Sequence, residues 1–196
     1  MSLPPPDIAR EPLHTRTLRV DAYQRSDGQW DLEAELVDIK CYDFAKKDAI
    51  HRAGDPVHHI LLRVTVDEDY AITAAVAGYK AAPFNEHCSS VTSAYQGLVG
   101  MNLMKNFRQA VKERFFRTAG CTHLTELSYV LPTVAIQARA NRRRQEEHDI
   151  ALQGADPDKR PFQLEGCHAL RLDGEPVREF YPQWYRAPGG RQKSGS

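Results

Sequence analysis

The chain predicts an α+β fold: a four-stranded antiparallel sheet covered by C-terminal helices, with an extra C-terminal hairpin. Three observations carry this. Apolar and polar residues alternate in four separate runs before residue 77, the period of half-buried strands. Helical spacing of apolar residues begins only after about residue 100. Asp27-Gly28 and Asp173-Gly174 each sit between alternating runs, where they supply hairpin turn chemistry.

The elements follow in order. Residues 1–11 hold Pro4, Pro5 and Pro6 and no periodicity, so they are read as a disordered arm. Leu18, Val20 and Ala22 alternate with Arg19, Asp21 and Tyr23 as a first strand. Trp30, Leu32, Ala34 and Leu36 share one face of a second. After Leu36 the apolar positions move to Val37, Ile39 and Cys41. Either a bulge flips the register there, or Asp38, Lys40 and Tyr42 stay on the core-facing side and must find polar partners. Ile60, Leu62, Val64 and Val66 form a third strand; Tyr70, Ile72, Ala74 and Val76 form a fourth. Short connections make this an antiparallel meander that needs cover on one face.

The cover comes next. Ser89 or Ser90 can cap a short helix, and Leu103, Met104, Phe107, Ala110, Val111 and Phe115 follow a helical stripe. Gly120 ends that unit. A further helix starts near Thr122 and buries Leu124, Leu127, Leu131, Val134 and Ala138, with Pro132 placed to kink it. Arg142 to Glu147 reads as a solvated helix end with local ion pairs, and 154–161 as a linker. Cys167–Leu172 and Glu175–Phe180 read as the second hairpin, with Pro176 confining the last strand to an edge. The single α+β domain is thus expected over 12–186, with a disordered tail over 187–196.

Composition narrows the function. The 196 residues carry 26 Lys plus Arg and 26 Asp plus Glu, so no basic excess speaks for nucleic acid. No apolar run approaches the roughly 18 residues that a membrane span needs, and the N-terminus lacks the features of a secretory signal. A cytoplasmic protein is expected, with Cys41, Cys88, Cys121 and Cys167 as free thiols. Burial as a small hydrophobe is the default for Cys41 and Cys167. No phosphate-loop, dinucleotide, zinc-protease or nucleophile-elbow motif is present, so no nucleotide cofactor is expected.

Gly120-Cys121-Thr122-His123-Leu124 is the strongest chemical signal. It sets a thiol and an imidazole at a helix start, where unpaired N–H groups favour a thiolate. Asp43 and His58 flank the loop after the second strand, so Tyr42, Asp43, His58, Cys88, Cys121 and His123 can share one end of the sheet. Three chemistries fit. Cys121 can act as nucleophile with His58 or His123 as base and Asp43 orienting the imidazole. His and Asp can do general acid–base work without a covalent step. Cys88, Cys121 and a histidine can ligate zinc or an iron–sulfur cluster, although close paired spacings are lacking. Cys121 and His123 would diverge by about 200° on a regular helix, so they converge only if the turn is irregular. His59 is expected to face outward. His14, His51, His148 and His168 suggest no partner.

Leu13-His14-Thr15-Arg16, Asp38 to Phe44, Gly54 to His58, Gly120 to Leu127 and Tyr181-Pro182-Gln183-Trp184-Tyr185 together resemble a bacterial family known only as a domain of unknown function. The family's usual Cys-Pro appears here as Cys88-Ser89. The resemblance implies a compact α+β protein from a group found among catabolic enzymes for aromatic or polycyclic compounds, lyases or hydrolases, and no established mechanism. A looser likeness of layout connects the chain to iron–sulfur cluster scaffolds. The leading expectation is a small enzyme acting on an organic substrate through Cys121, His123, His58, Asp43 and Tyr42. Its rivals are a metal- or cluster-binding carrier and a non-catalytic subunit docking on a larger enzyme through its aromatic C-terminal hairpin. A small-molecule substrate is expected as partner, with a homo-oligomer or an enzyme partner subunit also open.

Overall fold

A computed structural model describes residues 3–47, 49–84, 86–152, 160–161 and 163–188. The expectations for the tail from residue 189 onward, for most of the 154–161 linker and for the side chains of Arg142 to His148 lie outside the described residues. Contacts divide the chain into two compact units, residues 1–141 and 142–196.

The first unit holds the sheet. Strands β1 (His14–Gln24), β2 (Trp30–Lys40), β5 (Pro56–Val66) and β6 (Ile72–Ala81) form a four-stranded antiparallel meander in that spatial order. Two short strands, β3 (Phe44–Ala45) and β4 (Ile50–His51), make a separate small hairpin between β2 and β5. Gly28 adopts a φ of 86° in the β1–β2 turn, where a side chain would be strained, so Asp27-Gly28 closes the hairpin as expected. Leu32, Ala34 and Leu36 of β2 lie opposite Val64, Leu62 and Ile60 of β5, respectively, on one fully buried face. That face packs under Leu124, Leu127, Leu131 and Ala135 of the long helix α3 (Thr122–Leu152), and against Tyr95, Leu98, Phe107, Val111 and Phe115.

Three local expectations change. The connection after β6 contains a four-residue helix α1 (Glu86–Ser89) and a 3-10 helix (Thr92–Leu98), and the stripe from Leu103 becomes α2 only over Phe107–Arg114. In β6 a bulge against Thr65/Val66 flips the register, so Ala75, Ala77 and Tyr79 face inward while Ala74 and Val76 face solvent. Helix α3 runs unbroken through Pro132.

The second unit contains no strand among its described residues. The expected C-terminal strands are instead a 3-10 turn at His168–Leu170 and helix α4 (Glu175–Phe180), around a small core of Leu164, Leu172 and Val177. Gly174 sits at the N-cap and Pro176 in the first helical turn, where a missing N–H costs nothing. The chain's extra hairpin is therefore the β3–β4 pair. Among the described residues no helix is long and apolar enough to cross a membrane.

Candidate active site around Asp38

The end of the second strand realises each possibility in part: of Asp38, Lys40 and Tyr42, only Asp38 is buried. Inward alternation continues past Leu36 to Asp38, which is 1% exposed, and a register shift against β5 follows between Asp38 and Ile39. A buried carboxylate needs partners. The sheet supplies them by register, since Arg16 of β1 and His58 of β5 lie directly across from Asp38 on either side. The Arg16 guanidinium donates to both carboxylate oxygens, Nε to Oδ1 at 2.7 Å and Nη2 to Oδ2 at 2.8 Å. His58 Nδ1 lies 3.0 Å from Oδ2, and His14 Nε2, two residues back on β1, lies 3.2 Å from Oδ1.

Helix α3 closes the site from above. Its first turn brings His123 Nε2 to 3.6 Å from Asp38 Oδ2, and Glu126 pairs with the free end of Arg16 at 2.5 Å. The His123 ring stacks over that of His58, with centroids 4.0 Å apart. The other ring nitrogen, Nδ1, lies 3.8 Å from Cys121 Sγ. The two side chains converge because Cys121 is not within the helix. The helix begins at Thr122, and Cys121 caps it, its carbonyl accepting the Thr125 amide at 2.9 Å.

Tyr95 fixes that cap. Its buried ring stacks on Phe115 at 4.3 Å, and its hydroxyl accepts the Cys121 amide at 2.9 Å while contacting the Cys121 carbonyl and Thr125 Oγ1 at 2.8 Å each. Gly120 permits this approach. A Cβ there would fall 2.6 Å from the Phe115 Cβ and 3.0 Å from the Tyr95 hydroxyl.

The electrostatics follow from these contacts. Burial alone would raise the Cys121 thiol. His123, the Tyr79 hydroxyl and the Leu124 and His123 amides outweigh it and bring the thiol down to about 7. Burial likewise works against ionised Asp38, but the hydrogen bonds and charge of Arg16, with His58 and His14, hold its carboxyl below the usual range. His58 is pushed down by burial and by its neighbour His123, against the pull of Asp38, which favours a neutral imidazole at neutral pH.

Cys121, His123 and His58 thus meet as expected. Asp43 does not join them: it lies beyond the end of the sheet, bonded to Arg52 at 2.6 Å and to the Ala53 amide at 2.8 Å. Tyr42 is exposed and packs edge-on against Phe44. Asp38 occupies the position expected for Asp43. Its only sequence signal is the polar residue on an apolar face, whereas His14 and Arg16 give no signal until the strand register is known. His59 faces outward to Glu35. Cys41, just past the end of β2, and Cys167, capping a 3-10 turn, are exposed rather than buried. Cys88 lies half-buried in α1.

Asp38, His58 and His123 place one donor atom each within 4.8 Å of one another, close enough to gather round a metal ion. Two features favour proton transfer instead. Arg16 already occupies both carboxylate oxygens and would set its charge against the cation. The two imidazoles also pack face over face, with rings tilted by 35°, rather than converging edge-on toward a common centre.

A family model described as a protein of unknown function (DUF2889) matches residues 14–137, which include the whole sheet and every residue of this cluster. No curated protein and no solved structure matches the chain.

Proposed function

The chain belongs to this family of unknown function, and from the geometry of its site we propose a thiol-dependent enzyme that acts on the activated carbonyl of a small organic ester or thioester. One observation carries the reading: the unbroken line from Cys121 Sγ through the two nitrogens of His123 to the buried Asp38 carboxylate. This is the arrangement of nucleophile, base and orienting acid. The Cys121 thiolate attacks the carbonyl carbon, forming a C–S bond while the carbonyl π electrons move to oxygen. Collapse expels the leaving group, which takes its proton from protonated His123. Water then gives a proton to His123 as its oxygen attacks the acyl carbon, and the C–S bond breaks to restore the thiolate. Asp38 stabilises the imidazolium throughout, and the 3.8 and 3.6 Å separations tighten when substrate excludes water.

A reducing compartment such as the bacterial cytoplasm suits a free catalytic thiol. The resemblance to catabolic proteins makes aryl esters and thioesters the first substrates to try. The test is acylation by 4-nitrophenyl acetate. Wild-type protein is expected to release one equivalent of nitrophenolate in a burst and to carry one acetyl group on Cys121 by peptide mass spectrometry. Cys121→Ser should lose both. Acetyl groups scattered over other side chains, or no burst from folded wild-type protein, would overturn the reading.

A further inference from the structure

We infer, independently of the thiol chemistry, that strand β1 is a surface for a second copy of this chain: two copies pair antiparallel along it, about a two-fold axis at Val20, and join their sheets into one. β1 forms one edge of the sheet. Hydrogen-bonded and non-bonded positions alternate along an antiparallel pair. The Arg25 amide donates to the Gln29 carbonyl at 2.9 Å, and the Leu13 carbonyl accepts the Cys41 amide at 3.4 Å. The register between these two points is unbroken, so odd-numbered residues turn their amide groups toward β2. Those of Arg16, Leu18, Val20 and Ala22 therefore point out from the edge. Among the described residues, no backbone hydrogen bond outside the β1–β2 ladder reaches them.

The opposite edge is protected and this one is not. In β6 the register against β5 shifts twice, the Ile72 amide donates to the Met101 carbonyl at 2.8 Å, and the Ile72 carbonyl accepts the Gly100 amide at 2.9 Å. Such bulges and covering segments keep an edge from pairing with another chain. β1 runs for 11 residues with no register shift, no proline and no lysine. Its one inward-facing charge, Arg16, is taken up by Asp38. Leu18, on the inward row, is left 40% exposed.

The charge pattern names the occupant. Opposite residues of a strand pair share a face, so a two-fold axis passes through one residue and not between two. A centre at Arg19 or Asp21 sets like charges across the axis, and one at Leu18 sets both charges against threonines. With the centre at Val20, Arg19 of each copy faces Asp21 of the other, Leu18 faces Ala22, and Val20 faces itself. Opposite charges attract across such a pair and like charges repel. Arg19 Nε already lies 2.9 Å from Asp21 Oδ2 within the chain, so the outward row becomes one network of alternating charge, while the inward row covers Leu18. An isologous contact of this kind closes at two copies. It also sets Arg16 opposite Gln24 of the second copy and so braces the strand that carries His14 and Arg16 to Asp38.

The test is sedimentation of the full chain over a concentration series. The monomer mass is 22.2 kDa, and wild-type protein is expected to reach twice that mass. The Arg19 and Asp21 side chains are 67% and 38% exposed, so Arg19→Asp and Asp21→Arg leave the core untouched. In either variant alone both symmetry-related pairs turn repulsive, and dimer affinity should fall by about tenfold or more. An equimolar mixture of the two variants sets the two acidic positions of one chain against the two basic positions of the other. It should therefore recover the wild-type affinity as a heterodimer. Wild-type protein that stays at the monomer mass, a variant that dimerises as tightly as wild type, or a mixture no tighter than its components would each overturn the inference.

Discussion

The ionisation of Cys121 is the property on which the site can be tested most directly. An ordinary cysteine titrates at about 8.5, and this one at about 7. The depression survives a burial that works the other way. At pH 7 about half of the thiol is ionised, against about 3% for an ordinary one, a gain of about sixteenfold. Intrinsic nucleophilicity falls with pKa at a Brønsted slope of about 0.4–0.5, which removes about fivefold. The net gain of about threefold is too small to be diagnostic at one pH. The midpoint is diagnostic. Iodoacetamide labelling of Cys121 from pH 5 to 10, followed by peptide mass spectrometry, is expected to show half-maximal rate near 7. His123→Ala should move the midpoint up by about one unit or more, since a hydrogen-bonded partner of the thiolate is lost. The sign for stability follows. A thiol depressed in the folded state stabilises the fold above about pH 8.5, and this contribution disappears as pH falls through about 7. A wild-type midpoint at 8.5 or above, or one indifferent to His123, would refute the reasoning.

Two further substitutions test the scaffold. Asp38→Asn removes the buried carboxylate charge that faces Arg16 and the surrounding imidazoles, and breaking a buried ion pair from one side costs about 3–5 kcal/mol. Arg16 is 30% exposed and retains Glu126, so a loss of about 3 kcal/mol, the low end, is expected in urea denaturation. A loss under about 1 kcal/mol would contradict the clamp. Gly120→Ala places a methyl 2.6 Å from the Phe115 Cβ and 2.8 Å from its backbone oxygen, so a loss of about 1–3 kcal/mol is expected. It should also raise the Cys121 midpoint by displacing the Tyr95 cap, and wild-type stability and titration together would sink the close-approach argument.

The sheet was legible because half-buried antiparallel strands write their period directly into the sequence, and Asp27-Gly28 marked its first turn. The start of α3 was legible for a related reason: Gly120 and the residues after it combine a close-approach position with a helix cap. What failed depends on information that a single strand does not contain. His14 and Arg16 look like residues of an exposed edge, and only the pairing Arg16↔Asp38 brings them to the carboxylate. The inward turn of Ala75, Ala77 and Tyr79 follows from a bulge that the alternation of β6 does not reveal. Asp43 follows directly on the apolar alternation of β2, which places it at the end of the sheet as long as the strand continues that far. The strand stops at Lys40, and the chain then turns into the β3–β4 hairpin, taking Asp43 away. The C-terminal Asp-Gly pair misled because Pro176 fits a first helical turn as well as an edge strand.

The site also explains why two histidines are stacked where one would serve as base. With ring centroids 4.0 Å apart, His58 and His123 cannot both be protonated without strong repulsion. The carboxylate that might relieve this is already engaged at both oxygens by Arg16, which limits the negative potential left for the rings. Burial and the proximity of His123 favour neutral His58, while His123 is the ring in contact with the sulfur. Arg16 thus does more than neutralise Asp38: by occupying both carboxylate oxygens, the guanidinium weakens the pull that would otherwise charge His58 and leaves His123 as the ring positioned to exchange a proton with Cys121.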